Sequence, residues 1–148
     1  MPKSKDAAAE IAAGRSNCAQ AVFGAYAGEL GIPQPTASKI AQGLGAGMGR
    51  SGSMCGAVTA SALVIGMKVP DSADERSRRE QVYGLVKEFI KRFTARHGST
   101  NCTDLLGCDL STPEGLAAAR KQDVFAGKCP GLVASAVTII EELFNNNP

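Results

Sequence analysis

The run from Ala57 to Met67 places the strongest constraint on the fold, because it would be apolar on every side of a helix. A helix at a protein surface usually combines an apolar stripe with a polar face, whereas a helix that is apolar all round is buried. The run is also longer than a typical β-strand. It therefore predicts a central buried helix with the other elements packed around it.

The rest of the chain also indicates helices, since no alternation of apolar and polar residues typical of a strand is visible. In the segment 74–96, Phe89 and Phe93 recur at helical spacing, and charged residues such as Arg78 take the solvent-facing side. We predict an all-α fold, a single-domain multi-helix bundle over residues 1–148 with a glycine-rich, irregular loop at 43–56 before the buried central helix. The predicted helices are Ala7–Ala13, Cys18–Leu30, Pro35–Ile40, Ala57–Met67, Asp74–Arg96, Gly115–Gln122 and Pro130–Phe144.

Length and charge exclude several classes of protein. A chain of 148 residues is about one domain long. Its net charge of +2, with five phenylalanines, two tyrosines and no tryptophan, does not make the basic, aromatic surface of a nucleic-acid-binding protein. The charged segment from Met1 to Asp6 does not resemble a secretory signal, and the apolar run 57–67 is about half the length that crosses a bilayer. We therefore expect a cytoplasmic protein without a membrane span.

Four of the five cysteines lie at predicted helix starts, and they are Cys18, Cys55, Cys102 and Cys129. The unpaired N–H groups and the positive dipole end of a helix start lower the pKa of a thiol placed there. Thiolates bind metals and attack disulfides. We predict that these four residues form one shared redox-active or metal-binding site, with Cys55 and Cys129 the most reactive thiols and Ser53 capping the turn at Cys55.

Other residues near these cysteines have separate interpretations. Cys108 lies in a loop context between Gly107 and Asp109, and we expect it to lie outside the site. We predict Gly49, Gly52 and Gly56 as cofactor-binding residues, because free backbone N–H groups in this segment would face a thiolate or cluster sulfur. The segment also matches the Gly-x-Gly-x-x-Gly dinucleotide fingerprint, but no strand precedes it as that fingerprint requires.

Several segments together resemble one known family. They are Asn17-Cys18-Ala19-Gln20-Ala21, Gly47-Met48-Gly49-Arg50, Cys55-Gly56-Ala57-Val58-Thr59, the stretches 98–107 and 109–115, and Cys129. Over nearly the whole chain they are similar to the redox-active family named for its C_GCAxxG_C_C cysteine pattern. Ala60 departs from this pattern, because the family has a second glycine there.

The resemblance implies that Cys18, Cys55, Cys102 and Cys129 are the family cysteines. It also implies a small bacterial or archaeal protein, of a kind often encoded beside transporter genes. Related sequence is fused in a multihaem cytochrome that carries an iron–sulfur centre, which links the family to redox chemistry.

Three functions are open on this basis. In the first, the four cysteines hold an iron–sulfur cluster or another thiolate-bound metal for electron transfer. In the second, two of them form a disulfide reversibly, as in a thiol–disulfide redox protein or sensor. In the third, the chain is a non-catalytic helical module associated with a transporter. The partner in the first two is an unknown electron donor or acceptor, and a homo-oligomer is also open.

Overall fold

The computed structural model describes residues 2–145 and shows an all-α fold, which confirms the predicted fold class. Within these residues there is no β-strand, and one isolated antiparallel bridge joins Met54 to Asn101. The domain bounds of 1–148 stay a prediction. The elements are α1 (Lys3–Ala12), α2 (Cys18–Ala27), α3 (Gln34–Gln42), α4 (Gly45–Met48), α5 (Gly56–Lys68), α6 (Glu75–His97), α7 (Cys102–Leu106), α8 (Pro113–Lys121), α9 (Val124–Gly127) and α10 (Cys129–Asn145).

Side-chain caps determine where several helices begin. A carboxylate oxygen of Asp74 accepts a hydrogen bond from the Arg76 N–H at 3.1 Å at the start of α6. The Thr112 hydroxyl accepts one from the Gly115 N–H at 3.0 Å before α8. Gly98 ends α6 with a left-handed φ of 84°, which glycine adopts without a steric penalty. These signals depend on residues that are close in sequence. The starts of α6 and α8 and the end of α6 can therefore be predicted without a structure.

The core lies between α2, α5 and α10, with α1 packed on α10 and the carboxyl-terminal half of α6 closing one side. Its largest fully buried side chains include Tyr26, Ile65, Phe89 and Phe93. The Tyr26 hydroxyl donates a hydrogen bond to a Glu141 carboxylate oxygen at 3.1 Å, so the buried phenol keeps a polar partner. Burial of these apolar side chains is the main source of stability in such a fold.

The central helix α5 is less enclosed than the sequence predicted. Ala57, Val64 and Ile65 are fully buried, but Leu63 is 37% exposed and Met67 is 51% exposed. The neighbours α2, α6 and α10 cover only part of the helix circumference. The helix is therefore confirmed, whereas burial on every side is wrong.

Arg78, which was predicted on the solvent-facing side of α6, is half-buried. Its guanidinium donates hydrogen bonds to the carbonyl oxygens of Gly66 at 2.6 Å, Val69 at 2.8 Å and Pro70 at 3.2 Å. The last carbonyl groups of a helix have no partner inside it. Arg78 of α6 thus caps the carboxyl end of α5.

Residues 124–145, which cover α9 and α10, are long and apolar enough to cross a membrane by length and composition. The core helix of a soluble protein meets the same criterion, and Val133, Val137 and Ile140 of this segment are fully buried in the core. From sequence, only the run 57–67 was compared with the length of a membrane span. The absence of a membrane span stays a prediction.

Candidate functional site

The four helix-start cysteines line one cavity of about 670 Å³. Cys18 is the first residue of α2, Cys55 directly precedes α5, Cys102 is the first residue of α7 and Cys129 is the first residue of α10. Cys108 is buried but does not line this cavity. The fold therefore brings the four cysteines that are grouped from sequence to one cavity, while Cys108 packs in the same buried cluster as Cys102 and Cys129 but outside the cavity lining.

Asparagine caps place two of these thiols. The Asn17 side-chain oxygen accepts a hydrogen bond from the Gln20 N–H at 2.9 Å, and the Gln20 side-chain oxygen accepts one from the Asn17 N–H at 3.0 Å. This reciprocal capping box starts α2 at Cys18. Asn101 accepts a hydrogen bond from the Asp104 N–H at 3.1 Å in the same way before α7. Each Asn-Cys pair thus places its sulfur in the first turn of a helix.

A backbone bridge holds Cys55 beside Cys102. The Cys55 N–H donates to the Thr100 carbonyl at 2.8 Å, and the Cys102 N–H donates to the Ser53 carbonyl at 2.6 Å. The Ser53 side chain was expected to cap the turn at Cys55, but Ser53 is exposed and Cys55 itself occupies the cap position. Ser53 therefore contributes through its carbonyl oxygen rather than its hydroxyl.

The Cys18 thiol lies beside the thiols of Cys129 and Cys55. Interaction with these two thiols, together with burial, raises the pKa of Cys18 well above its ordinary value, because an ionised Cys18 would meet their negative charge. The same interaction with Cys18 lowers the pKa of Cys55 and of Cys129. The backbone N–H groups of Ala57 and Val58 lower the pKa of Cys55 further, although no regular capping bond forms there.

Cys102 behaves differently from Cys55. Burial, and then the negative charges of Cys55 and Cys129, raise the pKa of Cys102 to about 12. The expectation that a helix start lowers the pKa of a thiol is therefore wrong for Cys18 and Cys102. For Cys55 and Cys129 the pKa is lowered, as expected. In a crowded, buried group of thiols, desolvation and like charges outweigh the helix terminus.

One wall of the cavity is a left-handed turn in the glycine-rich segment. Five consecutive residues have positive φ, and they are Ala46 (56°), Gly47 (66°), Met48 (72°), Gly49 (60°) and Arg50 (68°). Left-handed backbone costs about 1–2 kcal/mol for each residue that carries a Cβ. Such strain persists only where the surrounding structure holds it, and it is concentrated at functional sites.

Gly47 allows this turn to approach Cys102 closely. A Cβ on Gly47 would lie 2.7 Å from the Cβ of Cys102 and 2.6 Å from the backbone nitrogen of Ser53. Both separations are shorter than a van der Waals contact. The absence of a side chain at Gly47 therefore helps to set the position of Cys102.

The three glycines predicted to bind a cofactor are divided by the structure. Gly49 and Gly56 line the cavity. Gly52 lies outside it, where its carbonyl oxygen accepts a hydrogen bond from the Thr103 hydroxyl at 2.9 Å. A cofactor-binding role stays a prediction for all three, and Gly52 has the less favourable position.

The other residues that line the cavity were not predicted from sequence. These residues come from many different segments, so no local pattern groups them. The apolar ones are Ile11, Leu105, Leu106, Leu110, Leu116, Phe125 and Leu132, and the polar ones include Arg15, Ser16, Asn17, Gln20, Gln42 and Arg50.

The donor type at the site fits a metal centre, because four thiolates are the ligand set of many iron–sulfur and zinc sites. Across residues 2–145, however, no group of three or more His, Cys, Asp or Glu side chains is arranged to hold a metal ion. All five cysteines are free thiols. The only histidine, His97, packs on the Phe93 ring at 4.6 Å between centroids and does not line the cavity. Any metal held here would therefore have sulfur ligands.

Comparison with known proteins identifies one family that matches this chain. No curated protein and no solved structure significantly matches the chain. A family model described as "Putative redox-active protein (C_GCAxxG_C_C)" matches residues 16–143, a range that includes all four cysteines of the cavity. The chain therefore belongs to the C_GCAxxG_C_C family, which is described as redox-active.

Proposed function

We propose that this chain is an electron-transfer protein whose redox centre is held by Cys18, Cys55, Cys102 and Cys129. The observation that carries the proposal is the convergence of four thiols, from four separate helix starts, on one cavity. A reversible disulfide requires only two cysteines. Four converging thiols are better explained as ligands of one centre.

An iron–sulfur cluster suits this site better than a single zinc ion. Zinc is not redox-active, and four sulfurs at about 2.3 Å from one ion would nearly touch one another. Cys102 interacts with Cys55 and Cys129 only through their charge, whereas Cys18 interacts directly with both. A polynuclear cluster binds its ligands through different metal atoms and therefore accepts a wider spacing.

The protein residues have definite roles in this proposal. Cys18, Cys55, Cys102 and Cys129 would hold the cluster, which supplies one-electron transfer when bound. The helix starts of α2, α5, α7 and α10 favour negative charge on the sulfurs. The apolar side of the cavity limits access of water, while its polar mouth faces an electron donor or acceptor. A cytoplasmic location, a transporter-associated partner and a homo-oligomer remain predictions from sequence.

The test is anaerobic purification followed by iron and acid-labile sulfide analysis and visible absorbance. We expect iron, sulfide and charge-transfer absorbance in the natural protein and in Cys108→Ser, the matched control with a buried thiol outside the cavity. Cys55→Ser and Cys129→Ser should lose most of the bound iron. If Cys108→Ser loses iron as they do, or if the natural protein binds neither iron nor sulfide, the proposed centre is wrong.

A second candidate, thiol–disulfide exchange, is favoured by the proximity of Cys18 to Cys55 and Cys129. In this reaction two thiols lose two electrons and two protons to a low-molecular-weight disulfide, which is reduced to two thiols. Mass spectrometry after treatment with glutathione disulfide tests it. We expect the protein to lose two protons through a disulfide between Cys18 and either Cys55 or Cys129, with Cys108 unchanged. Persistence of all thiols would exclude this candidate.

A further inference from the structure

The mouth of the four-cysteine cavity carries positive charge and no carboxylate. Its only charged lining residues, in the part of the chain that the structure describes, are Arg15 and Arg50. Arg15 is already paired with Glu10 at 3.0 Å. The Arg50 side chain has no ion pair or hydrogen bond to any residue within 2–145. Arg50 is therefore an unpaired cation at the entrance to the thiols.

The backbone at Arg50 makes this placement unfavourable for folding. Its φ of 68° is left-handed, a conformation in which a Cβ clashes with the following carbonyl oxygen. Of the other left-handed positions nearby, Gly47, Gly49 and Gly52 have glycine, which adopts this conformation without the clash, while Ala46 and Met48 carry the same strain as Arg50. At Arg50 no hydrogen bond or ion pair within residues 2–145 offsets that strain. Backbone strain of this kind is concentrated at functional sites, and here it lies beside the thiols.

The cavity has the size and the lining of a small-molecule site. Its volume of about 670 Å³ lies within the range of roughly 300–1,000 Å³ that is usual for such sites. The lining also includes the apolar side chains of Leu110, Leu116 and Phe125. A ligand that matches both the cationic and the apolar part of this lining has an apolar body and a negatively charged group.

We propose that the cavity binds a small organic anion, with its anionic group at Arg50 and its apolar body against Leu116 and Phe125, beside the thiols. This inference rests on the proposed redox function, since the ligand would lie next to the proposed redox centre. It deepens that function by naming the class of substrate. Charge-assisted hydrogen bonds from a guanidinium suit a carboxylate, sulfonate or phosphate group.

The test uses two fluorescent probes with the full chain, purified anaerobically and kept reduced. Anilinonaphthalene sulfonate has an apolar body and an anionic group, and N-phenyl-naphthylamine is a similar molecule without charge. We expect the natural protein to bind the anionic probe saturably at one site. Arg50→Gly should weaken that binding about tenfold, since a hydrogen bond to a charged group is lost. Arg50→Lys should retain most of it.

Two controls separate charge from loss of structure. Arg79→Gln removes an exposed arginine of α6, which does not line the cavity, and should leave binding of both probes unchanged. The neutral probe should bind equally well to the natural protein and to Arg50→Gly. Arg50→Gly should also unfold at a higher temperature than the natural protein, because it removes the left-handed strain.

The inference is overturned if the natural protein shows no saturable binding of the anionic probe, or if Arg50→Gly binds it normally. A parallel loss of both probes would also overturn it, because the effect would then not depend on charge. None of these readouts requires bound iron. Failure of the iron analysis would therefore disprove the proposed centre without affecting this inference, and the reverse also holds.

Discussion

At the scale of single residues, Cys18 differs from its two neighbouring thiols. Its interaction with Cys129 and Cys55, together with burial, raises its pKa and so favours its protonated form. The same interaction lowers the pKa of Cys55 and of Cys129. Helix starts are common to all four cysteines, so the differences between them come from burial and from these mutual contacts.

We expect Cys55 and Cys129 to be alkylated at lower pH than Cys18 and Cys102 in the reduced, metal-free protein. A lowered pKa provides the thiolate at lower pH, whereas a pKa of about 12 keeps Cys102 protonated through the neutral range. The measurement is the rate of alkylation by iodoacetamide against pH, resolved for each thiol by mass spectrometry. Four equal pH midpoints would contradict this order.

Gly47→Ala should damage the site more than Gly49→Ala, its matched control. Both positions are left-handed, so each substitution should lower the free energy of unfolding by about 1–2 kcal/mol through the backbone. Only the new methyl group at position 47 meets Cys102, because a Cβ at Gly49 comes no closer than 3.8 Å to other atoms. Urea unfolding and iron content give the comparison. Equal losses in the two variants would show that the approach to Cys102 is unimportant.

At the scale of helices, the two ends of α5 have different functions. Its start presents Cys55 to the cavity, while its carboxyl end is capped by Arg78 from α6. This contact joins the long, mostly exposed α6 to the core at a second place, in addition to Phe89 and Phe93. The stability of α5, and with it the position of Cys55, thus depends partly on a side chain that lies far from the site.

Arg78→Gln should lower the free energy of unfolding by about 1–2 kcal/mol, because three carbonyl oxygens lose a charged donor. Arg79→Gln is the control, since Arg79 is exposed on the same helix. Urea unfolding followed by circular dichroism measures both. A loss of the same size in the two variants would mean that the cap does not stabilise α5.

At the scale of the whole molecule, the site connects distant parts of the chain. The four cysteines begin or directly precede α2, α5, α7 and α10, so a centre bound to all four would link helices from both halves of the sequence. A group that binds only the folded state stabilises it by an amount that grows with the logarithm of the free ligand concentration, once that concentration exceeds the dissociation constant. The proposed centre should therefore affect global stability as well as redox activity.

Loading the protein anaerobically with iron and sulfide should raise its melting temperature by several degrees. A gain of about 2.7 kcal/mol follows when the free ligand is at 100 times its dissociation constant. Cys108→Ser should show the same rise, and Cys102→Ser should show little. The check is differential scanning calorimetry on loaded and unloaded samples. An unchanged melting temperature in the loaded protein would count against a centre bound to all four cysteines.

Local signals along the chain are enough to predict the all-α fold, most helix positions and the four candidate cysteines. Periodicity, the asparagine caps at Asn17 and Asn101, and the glycine stop at Gly98 act over a few residues, so they are visible without a structure. The short helix α9 was not predicted, since four residues carry too little periodicity. The third helix was predicted as Pro35–Ile40 and observed as Gln34–Gln42, because helix ends have weaker signals than helix centres.

The differences between the thiols, and the residues that surround them, depend on contacts that form only in the folded chain. The raised pKa of Cys102 depends on burial and on charges from two other segments, and the cap from Arg78 crosses between helices. The left-handed turn beside Cys102 is held by packing, against the local preference of Ala46, Met48 and Arg50. Desolvation, electrostatic coupling and packing act between residues that are distant in sequence, so no local pattern contains them.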